Sequence, residues 1–204
     1  MKIFCIGFNK TGTTSLQNLF LKEGFIDSYQ HHFEQNLDSY VFENHSIFIN
    51  IIKRYYPTSN IFQDVPFSLP NFYKELYKTF PNAYYILTVR DSSEIWYNSL
   101  VNFYKKTFPN RFLIPQEIEY TRKGWLYSYL TDCLKSPKYD PYNKLSLISS
   151  YENHILDVEE FFKDKSNLIK INLSNPSDLN KLENFLGMEF KTTNFPHLNK
   201  SKWN

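Results

Sequence analysis

Cysteine is nearly missing from this chain: Cys5 and Cys133 are the only two in 204 residues, which excludes a disulfide-dense secreted scaffold. An excess of one charge is missing too. Lys and Arg number 23 against 21 Asp and Glu, a net charge of +2. No bulk basic field therefore argues for nucleic acid, and any anion site must rest on local basic positions. No apolar run reaches the length of about 18 residues that a membrane-spanning helix needs. The opening Met1-Lys2-Ile3-Phe4-Cys5-Ile6-Gly7 is too short an apolar stretch for a signal peptide, so a cytoplasmic, reduced setting is the expectation. No repeat, low-complexity tract or linker divides the chain. Its length suits one compact domain, residues 1–204. What the sequence has in excess is aromatic: 19 Phe, 16 Tyr and 3 Trp, whose general role is core filling and broad contact area.

Hydrophobic patterning predicts strands at 2–6, 61–62, 83–89 and 167–173. It predicts helices at 13–23, 47–55, 70–80, 92–104, 121–134, 145–162 and 179–186. Cys5, in the first apolar run, reads as a buried small hydrophobe. Alternating strands and helices imply an α/β fold, with a P-loop-like central parallel sheet and helices on both faces. Ligands in such sheets bind beyond the carboxyl ends of the strands, which directs attention to residues 8–15, 63–66 and 90–99.

The first of these, Gly7-Phe8-Asn9-Lys10-Thr11-Gly12-Thr13-Thr14-Ser15, joins the first strand to the first helix. A tight turn and a helix N-terminus there offer backbone N–H groups to phosphate oxygens. Against the nucleotide-binding pattern G-x-x-x-x-G-K-[ST], Gly7, Gly12 and Thr14 fit, but Thr13 stands where lysine belongs. The lysine is Lys10, before the second glycine, where it approaches a bridging oxygen between two anionic groups. The third place carries Arg90 at the end of the clearest strand, followed by a helix with Ser99. Arginine offers a planar fork of donors matched to phosphate.

Lys10-Thr11-Gly12-Thr13-Thr14-Ser15-Leu16 resembles the 5′-phosphosulfate loop of sulfotransferases that use 3′-phosphoadenosine-5′-phosphosulfate (PAPS). The segment from Tyr84 through Arg90 to Ser99 resembles the family's 3′-phosphate-binding strand and helix. The spacing from Arg90 to Ser99 is one residue longer than in many members, and Ser92-Ser93 replaces the usual proline turn. Softer likeness to bacterial-type members extends to Gln63-Asp64-Val65-Pro66, Tyr151-Glu152-Asn153-His154, Leu168 to Ser174, and Phe195 to Ser201. Residues 105–145 offer little to align.

The resemblance implies metal-independent, in-line sulfuryl transfer from PAPS, leaving adenosine 3′,5′-bisphosphate (PAP), to an acceptor hydroxyl on a carbohydrate or small molecule. Lys10 is then the group that stabilises the leaving oxygen. Thr11, Gly12, Thr13, Thr14 and Ser15 hold the 5′-phosphate, and Arg90 and Ser99 hold the 3′-phosphate. Asp64 stands where the family places a catalytic base; capping a turn before Pro66 is its alternative role. His31, His32 and Glu34 form a second candidate cluster for the base. Lys200, with His197, Ser201 and Lys202, either folds over the cofactor or belongs to a solvated tail. Two rivals stay open: a P-loop nucleotide kinase or NTPase with Asp91 on Mg²⁺, and a sulfotransferase fold that binds PAP or PAPS without turnover. The acceptor (carbohydrate, phenol or alcohol, lipid head group, tyrosine) is left open, as is the oligomeric state.

Overall fold

A computed structural model describes residues 1–29, 33 and 45–196. Four parallel strands form the sheet: β1 (Ile3–Cys5), β2 (Ile61–Phe62), β3 (Tyr84–Val89) and β4 (Leu168–Asn172), in the order β2-β1-β3-β4. Ile3 lies opposite Ile61 on one side and Tyr84 on the other. Tyr85 to Val89 pair in register with Leu168 to Asn172. The chain leaves β1 toward β2, then returns past β1 to β3. The sheet's switch point is therefore the gap between the carboxyl ends of β1 and β3, the place where such sheets bind ligands.

Side chains alternate across a strand, and here the alternation separates two cores. Phe4, Ile6, Phe62, Tyr85 and Leu87 face one layer. That layer is built from α2 (Ser46–Tyr55), α3 (Phe72–Thr79), α4 (Ser93–Thr107), α5 (Trp125–Ser128) and α6 (Lys144–Phe162). Ile3, Cys5, Ile61, Ile86 and Ile171 face the other. That second face is covered by α1 (Thr13–Lys22) and α7 (Ser177–Leu186). The expected α/β fold, with a parallel sheet between helical layers, is what the structure has. Most of the aromatic excess goes to the larger layer, where Phe4 alone packs against Phe62, Phe67, Phe80 and Tyr85.

The predicted elements fall within three residues of the observed ones, with one exception. The helix expected over 121–134 starts only at Trp125, because Gly124 takes a left-handed conformation (φ 77°) and residues 119 and 123 bridge in antiparallel fashion. From Tyr129 to Cys133 the coil widens into a π-helix, with Leu134 N–H donating to Tyr129 O. Periodicity alone cannot separate a π turn from an α turn. Here the widening accompanies a parallel stack of Trp125 on Tyr129, with rings 5.3 Å apart.

Gly7 is the tightest point of the framework. A Cβ at that position would lie 2.3 Å from both the backbone oxygen and the hydroxyl of Thr88, so β1 and β3 can approach here only without a side chain. Gly7→Ala is expected to lower the stability by at least the ~1–3 kcal/mol typical of overpacking. The urea midpoint, read with an unchanged m-value, checks this.

Candidate functional site

The loop leaving β1 is held by its own short contacts and by β3. Thr11 Oγ1 donates to Phe8 O at 2.5 Å and lies 2.6 Å from the Thr88 hydroxyl. Lys10 adopts a left-handed backbone (φ 68°) and Gly12 a wider one (φ 100°), which lets the chain reverse into α1. Gly12 sits at the N-cap of α1 and offers no side-chain cap. The first N–H groups of α1 are therefore not capped by a side chain, and they carry the positive end of the helix dipole. Thr13 and Ser15 are buried beneath this turn while Thr14 is exposed. The Thr11 hydroxyl is already engaged inside the loop, so what Thr11 can offer an anion is its backbone N–H.

Arg90 joins this loop directly. Its Nε donates to Lys10 O at 2.7 Å, and its backbone N–H donates to the Tyr151 hydroxyl at 3.0 Å. Among the described residues the terminal nitrogens of its guanidinium have no partner, so the fork stands available to an anion. Burial lowers the pKa of Lys10, with nearby Asp64 acting against this and Arg90 adding to it. Burial also lowers that of Arg90, opposed by Tyr151 and Asp91. Two half-buried cations that repel each other at a switch point form a site whose own electrostatics favour a bound anion.

Helix α4 supplies the next layer. Ser92 caps it, accepting from Ile95 N at 3.2 Å. Trp96 Nε1 donates to Asn9 O, and the Lys10 ammonium lies 3.4 Å from the centroid of the Phe103 ring. Ser99 is three residues after Trp96 and four before Phe103, so it shares their helical face, toward the loop. Asn98, at the commoner family spacing from Arg90, points elsewhere.

At the end of β2, Asp64 also has a left-handed backbone (φ 59°), and its Oδ1 accepts from Val65 N at 2.9 Å. It is the turn cap the sequence allowed, and it also lines the cleft that holds Lys10 and Asn9. The opposite wall is Phe103, Tyr104, Tyr120 and Trp125. Asp91 lies outside this cleft's lining; its carboxylate accepts from the Asn172 amide at 2.7 Å and ties β3 to β4. His31, His32, Glu34, His197, Lys200, Ser201 and Lys202 lie outside the described residues.

Three contributors were not legible as site residues. Asn9 bridges the loop to Trp96 and, at 3.4 Å, accepts from the Tyr129 hydroxyl. Tyr151 stacks flat on Trp96 (4.5 Å, 6°) while holding Arg90. His154, one turn further along α6, lies 2.7 Å from Ile6 O and stacks on Phe8. The segment from Tyr151 to His154 was visible as a likeness; its work as a prop under the loop was not. The cleft's aromatic lining draws on α4 and on the 105–145 stretch, where the sequence offered little to align.

The α/β fold brings an uncapped helix N-terminus, a lysine ahead of it and a strand-end arginine together at one parallel switch point. The chain matches the sulfotransferase domain family over residues 2–203, and it belongs to that family. The chemistry of that family is sulfuryl transfer. None of the curated proteins compared with it matches. Among the described residues no helix is long and apolar enough to cross a membrane.

His154 carries a stability prediction. Burial depresses its pKa from 6.5 to about 4, against smaller opposing effects of the Ile6 carbonyl and Asp157. The folded protein therefore holds it neutral while the unfolded chain takes up a proton first. This part of the stability is present above pH ~6.5 and is lost as the pH falls toward ~4. At ~1.4 kcal/mol per unit it amounts to about 3 kcal/mol. Urea melts across that window are expected to show the loss in the native protein and to lack this component in His154→Gln.

Proposed function

We propose that the chain is a PAPS-dependent sulfotransferase, residues 1–204 acting as one catalytic unit on an acceptor hydroxyl. The observation that carries the reading is the convergence of Lys10, the uncapped start of α1 and the Arg90 fork on one end of the sheet. PAPS has two anionic ends, a 5′-phosphosulfate and a 3′-phosphate, and this arrangement offers one donor set for each. The N–H groups around Thr11, Gly12, Thr13, Thr14 and Ser15, with hydroxyls among these residues, hold the 5′-phosphate. Arg90 and Ser99 hold the 3′-phosphate. When bound, PAPS supplies an activated sulfuryl group.

Lys10 has the stem length and the position to swing from the Phe103 ring to the oxygen that bridges phosphate and sulfur, where leaving-group charge develops. Asp64, in the same cleft, takes the proton from the acceptor hydroxyl. Its turn-capping bond to Val65 N engages one carboxylate oxygen, and the residue lines the cleft. The two roles of Asp64 are thus compatible. Fold membership alone does not establish turnover, so binding and rate need separate tests.

Binding is read by thermal shift. PAP without Mg²⁺ is expected to raise the melting temperature of the wild type. Arg90→Ala is expected to weaken PAP by ~10–100-fold, the worth of a charged hydrogen-bonding fork. Stabilisation by ATP with Mg²⁺ and none by PAP would replace this reading with a kinase.

Turnover is read with PAPS and a broad acceptor panel, following PAP release. Lys10→Ala is expected to slow it by ~10²–10³-fold. Asp64→Asn keeps an oxygen for Val65 N yet cannot take a proton, and is expected to lose ~10²–10⁴-fold with an unchanged melting temperature. Near-normal rates in either variant would remove that residue from the chemistry.

A further inference from the structure

We propose that the turn following α4 docks on an anionic lipid bilayer. Leu113 and Ile114 enter the head-group layer, and the basic residues around them meet its charge. The inference does not rest on the donor reading of the β1–α1 loop.

Three turns follow one another as α4 ends. Arg111 N–H donates to Phe108 O, Ile114 N–H to Arg111 O, and Glu117 N–H to Ile114 O, at 3.1, 2.9 and 2.9 Å. Two rings anchor these turns to the core side. Phe108 meets Tyr120 edge-on at 5.9 Å, and Phe112 stacks on Tyr142 at 4.4 Å. One terminal nitrogen of Arg111 donates to Glu117 O at 2.8 Å and closes the loop. The result holds Leu113 outward, 88% exposed, with Ile114 beside it at 52%. Tyr142 lies three positions from Tyr139 and three from Leu145, which are also strongly exposed. Further apolar surface therefore lies near the ring that Phe112 covers. Scattered exposed apolar residues are ordinary. An adjacent pair held out by an anchored, hydrogen-bonded turn is a different arrangement, and it fits an apolar occupant.

Charge gathers on the same stretch. Residues 105–145 carry eight Lys and Arg against four Asp and Glu, which leaves 15 basic and 17 acidic residues for the rest of the chain. Lys105 and Lys106, in the last turn of α4, are exposed and have no acidic partner among the described residues. Arg111 belongs to the tip itself. Lys123 stands 2.7 Å from Glu117, where the tip closes.

An apolar tip ringed by cations is the pattern that an anionic interface rewards, because apolar burial and attraction to head-group phosphates act together. Other partners fit less well. A nucleic acid would meet the lysines and leave Leu113 and Ile114 without an apolar environment. A stable protein pair buries about 1,200–2,000 Å² with matched shapes, and two side chains standing out from a turn offer a small part of that. A fluid bilayer needs no matching shape. Tyr120, which Phe108 touches, also lines the cleft beside Lys10, so the docking tip and the cleft share one segment. Docking therefore holds that cleft near the membrane surface.

Co-sedimentation with vesicles tests this without relying on turnover. The wild type is expected to sediment at least ~10-fold more with phosphatidylcholine vesicles containing about 30% phosphatidylglycerol than with phosphatidylcholine alone. Raising NaCl from about 0.1 to about 0.5 M is expected to weaken that binding several-fold. Leu113→Glu combined with Ile114→Glu is expected to abolish it, with the melting temperature and the thermal shift by PAP unchanged. Lys105→Gln combined with Lys106→Gln is expected to lower it several-fold at low salt only. Leu113→Trp is expected to keep the binding and to shift its added emission to the blue when anionic vesicles are present. This variant and the lysine pair decide the matter should the glutamate pair fail to fold. No sedimentation with anionic vesicles, equal sedimentation with neutral ones, or full binding by the glutamate pair overturns the proposal. A dimer of the wild type in light scattering that the glutamate pair does not form assigns the face to a second copy, and that also overturns it.

Discussion

The close approach of β1 and β3 at their carboxyl ends is the constraint on which the rest of the site depends. Gly7 lets the Thr88 backbone come within a distance that any side chain would forbid. The hydroxyls of Thr11 and Thr88 then meet across the seam, and the Arg90 guanidinium reaches the Lys10 carbonyl. Parallel strands leave their last carbonyls and the following amides unpaired at this edge. Here those groups are taken up by a loop that folds back on β3 and opens into a helix. Lys10 and Arg90 are neighbours because the strands carrying them are neighbours, although 80 positions separate them in the chain.

A second layer keeps that seam from relaxing. Trp96 from α4 and Tyr151 from α6 stack face to face, one bonded to Asn9 and the other to Arg90. Beneath them His154 reaches Ile6. Three hydrogen bonds to main-chain groups thus come from rings locked in the core, so the anion-facing amides are set before any ligand arrives. Preorganised donors stabilise developing charge without a reorganisation cost during reaction. The buried, neutral His154 fits this purpose, since burial makes a charged imidazole there costly and the opposing pull of Asp157 is smaller.

The two halves of the site are built on different principles. The anion side is made of backbone amides, glycines and strand ends, whose geometry follows from the sheet. The cleft side is made of large rings contributed by α4 and by the short helical turns before α6, whose positions follow from packing against one another.

The order of strands and helices, the two-faced core and the positions of Lys10, Gly12 and Arg90 were readable in the sequence because each leaves a local signature. Alternation of apolar residues marks a strand, and a glycine–hydroxyl cluster marks the turn into a helix. Ser99 was readable as a residue but not as a direction, since one added position in a helix rotates a side chain by ~100° and only the observed start at Ser93 fixed the phase. Gly124 and the π turn after Tyr129 moved the fifth helix away from its expected bounds for a similar reason. Left-handed residues and widened coils have no periodic signal.

The sequence by itself determined that this is a parallel α/β fold with a glycine–hydroxyl turn between its first strand and first helix, because those features depend on neighbours a few residues apart. Tertiary structure decided that Lys10 rests on Phe103, that Asp64 lines the same cleft as Lys10, and that Tyr151 and His154 hold the loop from below. Each of these contacts joins positions tens to well over a hundred residues apart, and such pairs meet only through the packing of whole elements.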